Sequence, residues 1–139
     1  MTIIVRMKQR VKFLCHSVTA LAIGACCYVL FRKDTYLHKI LGIVGVLAHS
    51  AFWGKDLLCY YLPDCLWAYS FCYGLGAVLL PVGKQWRWVA IVVVVAGVLW
   101  EGAQLYSMVS GTADWWDCFM YLTAGVAVCI FQNRKGDKQ

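Results

Sequence analysis

Charge is what this chain has least of. Only 14% of its 139 residues are Asp, Glu, Lys or Arg and only 7 are acidic, whereas 62% are hydrophobic and the mean hydropathy is +0.65. A soluble domain of this size needs far more charge to cover its surface, so the composition is that of a polytopic membrane protein. Linkers are missing too. No Ser/Pro-rich run, low-complexity tract or internal repeat divides the chain, so residues 1–139 read as one integral membrane domain. The 8 cysteines include no CxxC pair. Cys15, Cys26, Cys27, Cys65, Cys72 and Cys129 fall in apolar stretches, where cysteine behaves as a small hydrophobe. Neither a disulfide framework nor a structural zinc site is expected, and no metal ligand set is assigned. Also absent are a Ser/His/Asp order, a P-loop and a dinucleotide fingerprint, so the sequence assigns no particular cofactor. The net charge of +6 does not point to nucleic acid. The basic residues sit at the ends of apolar runs, where they orient helices and meet anionic headgroups.

What the chain does have is apolar sequence in lengths that match a bilayer, about 20 residues per spanning helix. Residues 13–31, 65–82, 88–106 and 117–131 qualify. Pro63 stands in the first turn of the second of these, where its missing N–H costs nothing. Residues 37–53, from Leu37 to Trp53, are marginal because His38, Lys39 and His49 interrupt them. The expected fold is therefore all-α: a polytopic membrane helix bundle of four spanning helices plus one short interfacial or marginal helix that could be a fifth span. With four spans and both termini inside, nine of the 13 Lys and Arg lie inside and four (Arg32, Lys33, Lys39, Lys55) outside. A fifth span reverses this bias if the N-terminus is inside, and keeps it at eight against five if the N-terminus is outside. Both acceptable arrangements leave the C-terminus inside and the loop 107–113 outside. Residues 13–26 also resemble a signal sequence ending at Ile23-Gly24-Ala25-Cys26, but the apolar run continues to Phe31, which favours an uncleaved anchor.

Within this apolar frame the acidic residues stand out, because an ionisable group at membrane depth is expensive to keep. Glu101 and Gln104 share a helix face, as do Asp114, Asp117 and Tyr121. Asp64 and Trp67 repeat the three-residue spacing at the start of an earlier helix. In both topologies these groups gather at the outer ends of three helices. Asp114 also has the look of an N-cap, with Asp117 three residues on in the place of a capping-box acid. Trp67, Trp86, Trp88, Trp100, Trp115 and Trp116 fit interfacial belts. Gly42, Gly45, Gly74, Gly76, Gly97 and Gly125 fit close helix contacts. His16, His38 and His49 read as interior or interfacial histidines rather than ligands.

The run Glu101-x-x-Gln104, Gly111-Thr112-x-Asp114-x-x-Asp117-x-x-x-Tyr121, Ala124-Gly125 resembles the VanZ-like family of small bacterial membrane proteins. The resemblance covers the last third of the chain and, loosely, residues 64–82. Family members carry an Arg near the position of Gly111 and an Asn at that of Tyr121, so an activity needing that Arg is in doubt here. The resemblance implies a multi-pass protein of the bacterial cytoplasmic (inner) membrane and the cell envelope.

Three functions compete. The leading one is an outward-facing acidic pocket that binds an envelope lipid or a cationic small molecule. Glu101, Asp117 and Asp114 are its hypothetical catalytic groups, and Gln104, Asp64, Trp67 and Tyr121 its ligand-binding groups. Whether it catalyses anything is left open, since paired carboxylates serve acid–base chemistry or cation binding alike. The second is a small, homo-oligomeric proton-coupled carrier with Glu101 handling the proton. The third is a non-catalytic scaffold or accessory subunit whose carboxylates are caps and helix glue. The lipid bilayer is a partner in all three.

Overall fold

A computed structural model describes residues 3–31, 54, 57–109 and 111–136, and among these every regular element is helical. The elements are α1 (Ile3–Phe31), a π-helical turn (Leu57–Tyr61), α2 (Leu62–Leu79), a 3-10 turn (Gly83–Gln85), α3 (Trp86–Leu105) and α4 (Trp115–Gly136). The marginal segment 37–53 lies outside the described residues. Among the described residues three helices are long and apolar enough to cross a membrane: Ile3–Phe31, Trp86–Leu105 and Trp115–Arg134. They also carry the outward apolar surface that lipid would cover, with Val18, Leu99 and Leu122 all exposed.

The helix α2 is the central element and packs against the other three. Its small residues let neighbours approach: Ala68, Ser70, Cys72, Gly76 and Ala77 are buried. It runs antiparallel to α1, and the contacts fall in register along the pair. Phe13 meets Tyr73 edge-on (ring centroids 5.8 Å), Ser17 Oγ lies 3.0 Å from Ser70 Oγ, and Gly24 faces Leu66 and the Pro63 carbonyl. At the far end the Cys59 thiol donates to the Phe31 carbonyl. The chain therefore leaves α1 and enters α2 at the same end of the bundle. The helices α3 and α4 are likewise antiparallel, with Gly97 against Tyr121 and Ala90 against Gly125.

Several boundaries differ from the sequence reading. The helix α1 begins at Ile3, so Arg6, Lys8, Arg10 and Lys12 ride on its exposed first turns instead of preceding it. The helix α2 ends at Leu79 rather than residue 82, because Leu80 turns left-handed (φ 49°) and its N–H caps the Gly76 carbonyl, before Pro81 stops the helix. Trp86 departs furthest. It is 2% exposed, turned into the bundle rather than outward as a belt residue would be, and its ring stands edge-on to Phe13 with centroids 5.1 Å apart. Gly76 makes the room: a Cβ there would lie 2.8 Å from Trp86 Cζ3. Phe13, Cys72, Tyr73, Ala77, Trp86, Val89 and Val128 form the buried core at this end, crossed by one buried hydrogen bond from Gln132 Nε2 to the Tyr73 hydroxyl (2.8 Å). His16 is half-buried and stacked on Tyr73, with ring centroids 4.9 Å apart.

Candidate functional site

At the opposite end α1 and α3 finish and α2 and α4 begin, and there the structure brings the acidic residues together. Glu101 is 6% exposed. Both of its oxygens are engaged: Oε2 accepts the Asp114 backbone N–H at 3.1 Å and Oε1 accepts the Tyr121 hydroxyl at 3.0 Å. One carboxylate on α3 thus holds the first residue before α4 and a side chain nearly two turns along it. A buried charge needs such donors, since an uncompensated one costs several kcal/mol, on the order of 3–5 when one partner is removed.

Asp114 is an N-cap, as its place before Trp115 suggests. Its Oδ1 accepts the Trp116 N–H at 2.9 Å. The capping box is completed differently from the sequence reading. In such a box the acid three residues on reaches back to the N-cap N–H. Here the Asp114 N–H goes to Glu101 of another helix, and Asp117 gives its own N–H to the Asp114 carbonyl at 3.2 Å. The cap therefore ties two helices together instead of closing one.

Gln104 secures the loop between them. With its amide oriented to satisfy both ends, its nitrogen donates to the Thr112 carbonyl (3.1 Å) and its oxygen accepts the Trp100 indole N–H (2.9 Å). Gly111 lies over this amide at φ 150°, and a Cβ there would come 2.7 Å from Gln104 Cδ. This backbone leaves no room for a side chain at position 111 without a shift. The helix α3 itself ends in a Schellman arrangement. Met108 N–H bonds Ala103 C=O (2.9 Å), Ser107 N–H bonds Gln104 C=O (2.9 Å), and Ser107 takes the left-handed position (φ 55°) usually given to glycine.

Tyr121 is the hub. Its ring fits over Gly97, where a Cβ would sit 2.8 Å from Tyr121 Cγ. Its hydroxyl is within electrostatic reach of Glu101, Asp64 and Asp117, and the Cys118 thiol is within reach of Glu101, Asp117 and Asp114. Acidic residues of α2, α3, α4 and the cap before α4 thus share one end of the bundle, with Asp64 and Asp117 in the first turns of α2 and α4. Trp67 is 43% exposed and lies over Gly24 of α1 and beside Phe71 (5.8 Å). The sequence reading placed Trp100 and Trp116 in interfacial belts and missed two contacts: Trp100 with Gln104, four residues on along the same face, and the aromatic pair Tyr61–Trp116 (6.1 Å), which joins the π-helical turn to α4. The first was available from the i, i+4 spacing. The second joins residues more than 50 apart and has no local signal. All eight cysteines are free, and no group of three metal-ligating side chains occurs among the described residues.

Comparison with family models, curated proteins and solved structures gives no match for this chain. What the fold and composition define, over the described residues, is an all-helical protein with three membrane-compatible helices.

Gly97→Leu is expected to push the Tyr121 ring away and break its bond to Glu101, at a cost of about 1–3 kcal/mol for overpacking. Thermal unfolding in detergent of Gly97→Leu beside Gly97→Leu/Tyr121→Ala checks it. The second substitution should restore part of the loss if the tyrosine ring is what the leucine strikes.

Proposed function

We propose that this chain is a VanZ-like multi-pass protein of a bacterial cytoplasmic membrane, with its acidic end outward, and that this end binds a cationic group on an envelope lipid or small molecule. In this reading α2 also spans. The 32–56 connection begins and ends at one end of the bundle, which supports four spans over five. The described basic residues Arg6, Lys8, Arg10, Lys12, Lys84, Arg87 and Arg134 all lie at the other end, which supports a cytoplasmic C-terminus.

The observation that supports the binding role is the gathering of acidic residues at one end of the bundle: Glu101 bonds the Asp114 N–H and the Tyr121 hydroxyl, Asp64 and Asp117 stand in the first turns of α2 and α4 at that end, and Tyr61 and Trp116 pair there. Negative potential next to aromatic faces is the chemistry that recognises an ammonium group. Glu101 and Gln104, whose polar atoms hold the loop and the cap, are positioning residues in this reading. The ligand's charge is met by Asp64 and Asp117. Titration of the purified protein with tetramethylammonium and with primary amines, followed by thermal shift, tests it. Wild type should be stabilised by the cations and not by anions of equal size, and Asp64→Asn and Asp117→Asn should each weaken the response about tenfold. Equal responses in wild type and both variants would overturn it.

A second reading, the scaffold, is favoured by the full engagement of Glu101, Gln104 and Asp114 in caps and loop contacts. It requires substitutions at these positions to change stability while no cation binds.

A further inference from the structure

The outer faces of α3 and α4 leave a groove of about 380 Å³ on the side away from the carboxylates. Ala90 and Val94 form one wall, Leu122 and Val126 the other, and Arg87 with Asn133 stand at one end. Gly125 deepens it: a Cβ there would lie 3.1 Å from Val94 Cγ2. Along α3 the groove runs from Arg87 to Val95, about 12 Å at 1.5 Å per residue. We propose that this groove seats an acyl chain of an anionic phospholipid, whose phosphate is held by Arg87 with Asn133 as a hydrogen-bond partner.

The polarity of the groove decides the occupant. It lies on two helices long and apolar enough to cross a membrane, so lipid is the medium it opens to. Its walls offer nothing for a polar ligand over most of their length, and then end at a guanidinium. Arg presents a planar fork that matches a phosphate. Exposed Lys84 and Arg134 lie at the same end of the bundle, since the turn 83–85 packs against the C-terminal part of α4. A basic cluster at a helix end attracts anionic headgroups. The site shares no residue with the acidic end and stands or falls independently of the function proposed above.

Native mass spectrometry of the detergent-purified protein, with dioleoylphosphatidylglycerol and dioleoylphosphatidylcholine supplied in equal amounts, tests it. Wild type should retain one phosphatidylglycerol in preference to phosphatidylcholine. Arg87→Gln should weaken that retention roughly fivefold, the effect of about 1 kcal/mol for one basic residue near an anionic surface. Arg87→Lys should keep most of it. Val126→Trp fills the groove from one wall and Ile91→Trp from the other; whichever of them folds should lose the bound lipid of either class. Equal retention of the two lipids by wild type, an Arg87→Gln protein that retains phosphatidylglycerol as wild type does, or a filled groove that still holds lipid would each overturn the proposal.

Discussion

Glu101→Ala is expected to destabilise the protein by about 2–4 kcal/mol. The reasoning begins with what the substitution leaves behind. Two donors lose their acceptor: the Asp114 N–H, fixed by the backbone, and the Tyr121 hydroxyl, which can rotate. Hydrogen bonds to charged groups contribute about 1.5–3 kcal/mol each, and an orphaned buried donor costs about 1–3 kcal/mol. Against this stands relief from burying a carboxylate, which is substantial. In membranes, too, interhelical hydrogen bonds average only about 0.6 kcal/mol in double-mutant cycles. The loss wins here because one side chain serves two partners and the N–H cannot turn to another. Glu101→Gln keeps the volume and an acceptor oxygen, so it should cost less. Tyr121→Phe removes one of the orphaned donors, so the double variant Glu101→Ala/Tyr121→Phe should be less destabilised than the two single losses added together. Equilibrium unfolding in mixed micelles, followed by circular dichroism, measures all four. A Glu101→Ala protein within about 0.5 kcal/mol of wild type, the range of neutral surface changes, would show that the carboxylate does not hold α3 to α4.

The convergence of this end was legible because each of its parts has a local signature. Glu101 interrupts an apolar run, and the three- and four-residue spacings put Gln104 with it and Tyr121 with Asp117. Alternation of spans then sets the helix ends side by side. Asp114 was legible as a cap for the same reason: it stands directly before the apolar helix it starts. What no spacing revealed was the trade in which Glu101 takes the N–H that a capping box assigns to Asp117. That choice depends on the distance between two helices, which loop 106–114 sets through Gln104, Gly111 and the turn at Ser107. The end of α2 was misjudged because a leucine in the left-handed region leaves no mark in an apolar sequence, and Pro81 lies one residue past it.

Trp86 shows most clearly where the sequence misleads, and Trp86→Ala should cost about 3–5 kcal/mol, the usual range for removing a buried Trp. Beside basic Lys84 and Arg87 at a helix start, a tryptophan has every mark of an interfacial anchor, and its neighbour Trp88 is indeed 70% exposed. Two residues along a helix turn the side chain by about 200°, so adjacent tryptophans of one belt face opposite ways. Trp86 turns inward, over Gly76 and against Phe13 and Tyr73, the latter at 5.6 Å. In a bilayer, lipid would solvate the indole of a separated helix almost as well as the core does, so transfer from water contributes less than in a soluble protein. The cost falls instead on lost dispersion and the two aromatic contacts, the latter about 0.5–1.5 kcal/mol each. This places the expected value toward 3 kcal/mol, while Trp88→Ala should stay within about 0.5 kcal/mol of wild type. Gly76 supplies the internal control. In the wild type Gly76→Ala strikes the indole ring and should cost about 1–3 kcal/mol. With Trp86→Ala already made, the same methyl enters the vacated space and should cost nothing or restore some stability. Unfolding measurements on the four proteins of this cycle decide the matter. If Gly76→Ala costs the same in both backgrounds, the glycine is not what admits the tryptophan. If Trp86→Ala is as mild as Trp88→Ala, both rings belong to the interface and the core at this end is held by Phe13, Tyr73 and Val128 alone.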